Sequence, residues 1–324
     1  MSDRASTEHK FNTLLQELRE TVLPELHANW NTLSEENQTA VSQLLNFFCG
    51  LHSLVHFAEV SNRAVLEVQK GFFEDLPPIY DKKFLKSSES GTLRLVRTAC
   101  KALARGGDEK SGKFAEFKLY SKDFLKENGL MCIPLQDFHG NRFNVLFESA
   151  ASLFFLKNTA TDYLKGNLSN NLLKAVYHDI NVPEYMAGCK ALGLISRLVT
   201  GPLWCLLEDR SIHVLDMNKH YLELCTCLSD ANIEHFMNGS LNIFGDVTMV
   251  KRDSILVSLI EPWEHDPLVE VHLQIILPAL ADLCKKLFSD HLPGGKWQNV
   301  TEQTRVKSTS TQKHNKFSVC LWFP

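Results

Sequence analysis

Long apolar runs, a large net charge and a disulfide framework are all missing from this chain of 324 residues. No apolar run reaches the roughly 18 residues that crossing a bilayer requires, and the polar opening MSDRASTEHK lacks a signal-peptide core. The net charge of −4 gives no general attraction to nucleic acid or anionic membranes. The nine cysteines follow no disulfide-like spacing. We therefore expect a nuclear or cytoplasmic protein with no membrane partner and no small-molecule substrate.

The motifs of several common enzyme classes are also missing. There is no G-x-S-x-G nucleophile elbow, no glycine-rich phosphate loop and no H-E-x-x-H zinc motif. Cys49, His52 and His56 recur at helical spacing and could give zinc three of its four ligands, but no further Cys or His pair lies nearby. Because free cysteines are mostly buried, a packed core is the favoured interpretation, and no metal is expected.

Two weaker groupings complete the candidate chemistry. Cys225 and Cys227 with His235 have a spacing too loose for a recognised metal site. The segments WCLLE, which ends at Glu208, and WEHD, at residues 263–266, place carboxylates beside aromatic residues, as acidic residues at helix ends often do. We interpret both segments as structural. An alternative in which Glu208 or Glu261 acts as a catalytic acid stays open.

Hydrophobic periodicity predicts a mainly α protein. Apolar residues between positions 11 and 26 recur at steps of three and four, which is typical of an amphipathic helix. Thr32 and Glu35 form a capping-box pattern, which predicts a second helix from residue 35 to about residue 73. Further helices are predicted near 93–105, 114–128, 144–164, 167–178, 184–200, 213–229 and 269–290.

One basic stripe is present in this acidic chain. Arg94, Arg97, Lys101 and Arg105 recur at steps of three and four, so they share one helix face. Residues 94–126 hold nine Lys and Arg against four Asp and Glu, and nine minus four is a local net charge of +5. Two interpretations are open, a solvated helix face or a contact with a polyanion such as DNA.

Three segments resemble, in their order, blocks of the hAT-type transposases. LNFFCGLHSLVHFAE resembles the C-x-x-H block, and IPLQDFHGNRFNVLFESAA resembles the R-W-N-S block. The opening MSDRASTEHKFNTLLQELR resembles the segment that carries the second catalytic aspartate of that family. The resemblance extends from residue 1 to about residue 297 and points to a transposon-derived animal branch. The matched positions are Cys49 and His52 in the first block, Arg142, Phe143 and Asn144 in the second, and Asp3 in the opening.

The resemblance implies an RNase H-like catalytic core that is interrupted by a large helical insertion. In that family, three carboxylates hold two divalent metal ions, normally Mg²⁺, for DNA strand transfer, and the R-W-N tryptophan stacks on DNA bases. Here the first aspartate has no counterpart, no block of the third acid follows LPGGKW, and Phe143 replaces the tryptophan. The resemblance therefore implies a catalytically incomplete fragment without most of the β-sheet and without a cofactor, Mg²⁺ being expected only with an intact core.

This interpretation divides the chain into three segments. Residues 1–30 are the flank that resembles the end of the RNase H-like core, 31–292 form the helical insertion-like domain, and 293–324 are a polar tail expected to be disordered. The expected function is binding, to DNA or to partner chains, including self-association. A non-DNA helical interaction scaffold and an active metal-dependent nuclease or transposase are the alternatives. The expected DNA contacts are Arg94, Arg97, Lys101, Arg105, Arg142 and Phe143.

Overall fold

The computed structural model describes residues 6–73, 78–86, 88–138, 144–245 and 250–314. Within these ranges the regular elements are helices and there is no β-strand, so the predicted mainly α class is confirmed for them. The helices are α1 Ser6–Leu26, α2 Glu35–Ser42, α3 His52–Phe72, α4 Gly91–Leu103, α5 Phe114–Tyr120, α6 Lys122–Glu127, α7 Val145–Phe155, α8 Lys157–Lys165, α9 Asn171–Ile180, α10 Pro183–Ile195, α11 Gly201–Glu208, α12 Met217–Asp230, α13 Ile233–Met237, α14 Ser254–Ile260, α15 Asp266–Leu287 and α16 Glu302–Lys307.

Helix α10 lies at the centre of the fold, where α4, α7, α14 and α15 pack around it. Every residue from 185 to 195 is buried. Two glycines allow the close packing, because a Cβ on Gly188 would lie 2.2 Å from Thr92 Oγ1, and one on Gly193 would lie 2.9 Å from the Cα of Ala151. The small side chains of α10 therefore set how closely α4 and α7 approach it.

A single π-helical turn, Ser196–Thr200, joins α10 to α11. The N–H of Gly201 donates to the carbonyl of Ser196, five residues earlier. Pro202 follows, and it has no N–H to donate to the carbonyl of Leu198, so the regular hydrogen-bond ladder cannot continue through this point. The local sequence therefore explains why this long helix changes its winding here.

Two helical segments are apolar and long enough to cross a membrane by length and composition, which differs from the expectation above. They are Pro183–Glu208 and Asp266–Leu287, and 72% and 44% of their most apolar windows are buried inside the fold. Core helices of soluble proteins meet the same criterion. Their apolar residues serve the core described here, with Leu194, Leu198, Leu273 and Leu277 fully buried.

The second predicted helix is wrong in its middle. Helix α2 ends at Ser42, α3 begins at His52, and residues 43–51 between them form no helix. In this connection the N–H of Leu44 donates to Gln16 Oε1 of α1 at 2.7 Å, and the N–H of Gly50 donates to a carbonyl of the C-terminal segment at 2.9 Å. These tertiary hydrogen bonds replace the intrahelical ones, and local periodicity does not encode them.

The segment after residue 293, which we expected to be disordered, packs against the fold at a few buried positions of its described part. Trp297 is 2% exposed and stacks on Phe47 with ring centroids 4.3 Å apart. Helix α16 follows, and the buried Lys313 donates to two backbone carbonyls. The polar composition conceals this packing because its anchors are few and widely spaced. Residues 315–324 lie outside the described residues.

Candidate nucleic-acid interface

The predicted basic stripe on α4 begins with a side chain that the fold buries. Arg94 is 3% exposed, and its Nε and Nη2 donate to the two carboxylate oxygens of Asp179 at 2.7 and 3.1 Å. Nη2 also donates to the carbonyl of Pro78 at 2.8 Å, and the guanidinium lies 5.3 Å from the ring centroid of Tyr185. No surface of Arg94 remains for a phosphate, so its predicted nucleic-acid contact is wrong.

Electrostatics agree with this structural role for Arg94. Burial acts to lower the pKa of Arg94, but the hydrogen bonds and the negative charge of Asp179 outweigh it and raise the pKa above its ordinary value. Burial raises the pKa of Tyr185, whose hydroxyl donates to the same carbonyl of Pro78 at 2.8 Å. Arg94 of α4 therefore contacts Asp179 of α9, Tyr185 of α10 and the carbonyl of Pro78, and these contacts hold the three helices and the segment at residue 78 together.

The next two positions of the stripe are also paired, and only the last is open. Arg97 donates through Nε and Nη2 to the two carboxylate oxygens of Glu89, each at 2.7 Å, and its side chain is 14% exposed. Lys101 Nζ lies 3.2 Å from Asp108 Oδ2, and the Lys101 side chain is half exposed. Arg105 is exposed. The expectation of an open four-residue stripe is therefore corrected, since it extends only to Arg105 and part of Lys101.

A second row of cations, on α5 and α6, is open to solvent. Lys118, Lys122 and Lys126 are all exposed and lie four residues apart. Ser121 separates the two helices, but the hydrogen bonds between residues four apart continue through it on both sides, each at 2.9 Å, so the three lysines share one face. Within the described residues, no carboxylate lies at salt-bridge distance from any of the three.

The acidic side chains of these two helices lie on a different side. At about 100° per residue, the three lysines span an arc of roughly 80° beside Leu119, which is 75% exposed. The exposed carboxylates of Glu116, Asp123 and Glu127 begin roughly 60° beyond that arc. The lysine row, meaning Lys118, Lys122 and Lys126, is therefore a face of one charge sign. These three lysines belong to the local net charge of +5, and their spacing of four indicates the shared face, which the predicted stripe on α4 does not include.

The C-x-x-H residues are arranged differently from the prediction. Cys49 precedes α3 instead of lying on it, and the N–H of His52 donates to the Cys49 carbonyl at 3.2 Å in a turn. Both residues line one small cavity together with His56, Tyr221 and His291. Among the described residues, no group of three or more His, Cys, Asp or Glu side chains is arranged to hold a metal ion. The turn and the cavity wall give Cys49 and His52 a structural role.

Asn144 is the one residue of the R-W-N-like positions that the structure describes. It is 2% exposed, has a left-handed φ of 58°, which asparagine tolerates better than most residues, and precedes α7. Its Nδ2 donates to Glu148 Oε1 at 3.2 Å. Asn144 therefore sets the start of α7. Arg142, Phe143 and Asp3 lie outside the described residues.

The remaining candidates lie on separate elements. Glu208 is half-buried at the end of α11, and Glu261 is exposed directly after α14. His235 pairs with Ser240 at 2.7 Å. Cys225 is buried on α12, and Cys227, two residues later, is half-buried.

No protein-family model, curated protein or solved structure matches this chain.

Proposed function

We propose that this chain is a transposon-derived, catalytically incomplete binding module that binds nucleic acid through the lysine row of α5 and α6. The resemblance to hAT-type transposases supports a DNA-related origin, and the division into an RNase H-like flank and a helical insertion stays a prediction. The observation that carries the proposal is the exposure of three unpaired lysines on one face. Arg105, which is also exposed, adds a fourth cation from the same segment of the chain.

The physical basis of the proposed binding is the release of counterions from phosphates. Each neutralised phosphate of duplex DNA contributes about −0.9 to the slope of log K against log salt, so three lysines contribute about −2.7. Because the lysine row makes no internal ion pair, binding does not require one to be broken. The net charge of −4 over the whole chain opposes association, so binding should be strongest at low ionic strength.

Salt-dependent binding tests this proposal. Fluorescence anisotropy with labelled single-stranded and duplex oligonucleotides should give a steep salt dependence for the wild-type chain. The triple variant Lys118→Gln, Lys122→Gln, Lys126→Gln should weaken binding and reduce the slope by about three times 0.9 for a duplex.

A matched control removes the same charge from another surface. Lys82, Lys83 and Lys86 are exposed on the segment before α4, and their triple change to Gln should leave most of the affinity and slope intact. Absence of binding at low salt, or equal losses in the two triple variants, would contradict a specific role for the lysine row.

A second candidate function is an interaction scaffold whose partner is a second copy of this chain. One side of α1 packs on α2, where Gln16 and Arg19 donate to backbone carbonyls. Its apolar face stays open, with Phe11, Leu14 and Leu18 exposed by 58%, 53% and 57%. In a twofold dimer the same surface patch of the two copies is in contact, and two copies of an apolar face can bury each other in this way.

Light scattering over a concentration series tests the scaffold. A wild-type dimer that becomes monomeric on Leu14→Lys with Leu18→Lys, but not on Val257→Lys, would support it. Val257 is a suitable control because it is 49% exposed and lies on α14, which is far from α1 in the sequence. A monomeric wild type at all concentrations would rule out self-association through α1.

A further inference from the structure

Helix α6 ends beside the loop that leads into α14. The chain turns away from α6 at Gly129, which has a left-handed φ of 71° and whose N–H donates to the carbonyl of Lys126 at 3.1 Å. The carbonyl of Asn128 accepts a hydrogen bond from Ser254 Oγ at 2.9 Å. This contact joins segments that are 126 residues apart in the sequence, and it places the residues before Ser254 next to the end of the lysine row.

The loop before α14 is basic and open to solvent. Lys251 and Arg252 are both exposed. Lys251 Nζ lies 3.5 Å from Asp253 Oδ2, but the Lys251 side chain is still 72% exposed. Within the described part of the chain, no carboxylate lies at salt-bridge distance from Arg252. The loop therefore presents two cations to solvent.

The carboxylate of this loop, Asp253, is engaged by groups of the fold. Its Oδ1 accepts the N–H of Leu256 at 3.0 Å and so caps α14. Its Oδ2 lies 3.2 Å from Nη2 of Arg197 on the π-helical turn, a side chain that is only 15% exposed. Arg197 and the two cations of the loop against this carboxylate give three minus one, a local net charge of +2. The loop therefore attracts an anion although it contains a carboxylate.

The lysine row and this loop are close enough to contact one ligand. Lys118 and Lys126 are eight residues apart, which is about 12 Å along a helix. Because consecutive Cα atoms are about 3.8 Å apart, the hydrogen bond of Ser254 keeps the Cα atoms of Lys126 and Arg252 within roughly 23 Å of each other. The cations of both segments therefore extend over no more than about one turn of B-form DNA, which measures about 34–36 Å.

The exposed aromatic ring of α5 lies away from the lysine row. Tyr120 is the one exposed aromatic residue in the described residues 114–130 and 250–254. At about 100° per residue it lies roughly 120° from the nearest edge of the lysine arc, and its ring centroid is 5.3 Å from that of Tyr163. Proteins that bind single strands without sequence preference combine a basic groove with aromatic side chains that stack on bases. Cations without such a ring suit the outer phosphates of a duplex.

We infer that Lys118, Lys122, Lys126, Lys251 and Arg252 form one basic track that binds the phosphate backbone of duplex DNA without reading its sequence. This inference rests on the proposed function, and it adds the class of nucleic acid and a second segment of the interface. At about −0.9 per neutralised phosphate, the two cations of the loop contribute about −1.8 to the slope of log K against log salt.

Fluorescence anisotropy tests the track with a labelled duplex of about 20 base pairs, roughly two helical turns, and with one of its strands alone. The double variant Lys251→Gln with Arg252→Gln should reduce the duplex slope by about 1.8, and the Gln triple variant of the lysine row should reduce it by about 2.7. The variant that combines all five changes should lose both contributions. At equal salt the wild type should bind the duplex more tightly than the single strand.

Lys285 and Lys286 of α15 provide the matched control. They are adjacent and exposed like the pair in the loop, and Lys285 Nζ lies 3.7 Å from a carboxylate oxygen of Asp282. Their double change to Gln should leave most of the slope intact, because they lie outside the track. All the changed side chains are exposed, so the far-UV circular dichroism of every variant should match that of the wild type.

The outcomes separate this inference from the proposed function. If the double variant of the loop matched the α15 control while the lysine-row variant still lost slope, the track would be overturned and the proposed function would stand. Tighter binding of the single strand would overturn the assignment to duplex DNA. No binding of the wild type at low ionic strength would overturn both the proposed function and the track.

Discussion

Replacing Arg94 by methionine should destabilise the fold strongly, because Asp179 would stay buried without its counter-charge. Asp179 is 2% exposed in its side chain, and it would lose hydrogen bonds of 2.7 and 3.1 Å. Removing one partner of a buried ion pair costs about 3–5 kcal/mol. That cost is a large share of the roughly 5–15 kcal/mol that stabilises a typical folded protein.

Urea unfolding followed by circular dichroism measures this effect. With a slope of about 3 kcal/mol per molar urea, the midpoint should fall by roughly 1 M or more. The double variant Arg94→Met with Asp179→Leu should recover much of the loss, since no buried charge is left unpaired. Arg105→Met, which removes an exposed arginine of the same segment, should change the stability by less than about 0.5 kcal/mol. Equal midpoints for Arg94→Met and Arg105→Met would refute the buried ion pair as a source of stability.

Three further substitutions test the core, the C-terminal segment and a helix crossing. Burial lowers the pKa of His272 from 6.5 to about 4. The contribution of His272 to the free energy of unfolding should therefore be complete above pH 6.5, and it should be lost by roughly 3 kcal/mol as the pH drops toward 4. The free energy of unfolding of His272→Gln should depend less steeply on pH over this range. Trp297→Ala should lower the free energy of unfolding by about 3–5 kcal/mol, and it should speed tryptic cleavage at the lysines and arginines of the segment beyond residue 293. An unchanged rate of proteolysis would contradict the packing of Trp297 on Phe47. Gly188→Ala should cost about 1–3 kcal/mol by thermal unfolding, because its Cβ would lie 2.2 Å from Thr92, whereas Gly71→Ala, with no atom within 4 Å, should be neutral or stabilising.

Periodicity predicted the helices well where tertiary contacts agree with it. It predicted helices where α1 and α15 lie, and it predicted the helical class, because the three- and four-residue repeat of apolar side chains is a local pattern. It failed at residues 43–51, where hydrogen bonds to Gln16 and to the C-terminal segment hold the chain out of a helix. Those partners are distant in sequence, so no local pattern contains them.

The same limit explains the outcome at the candidate site. A row of arginines shows which residues share a face, but it does not show whether that face meets solvent or a carboxylate from elsewhere. Asp179 lies 85 residues from Arg94, and the ion pair follows only from the tertiary packing of α4 on α9. The spacing of four shows that Lys118, Lys122 and Lys126 share one face, but their exposure likewise follows only from the tertiary packing.

The most direct test of the proposed interface is photo-crosslinking of the wild-type chain to an oligonucleotide, followed by mass mapping of the crosslinked peptides. We expect crosslinks between residues 114 and 130, which increased salt should diminish and which the Gln triple variant of Lys118, Lys122 and Lys126 should lose. Crosslinks confined to other segments, or no crosslink at low ionic strength, would contradict nucleic-acid binding through α5 and α6.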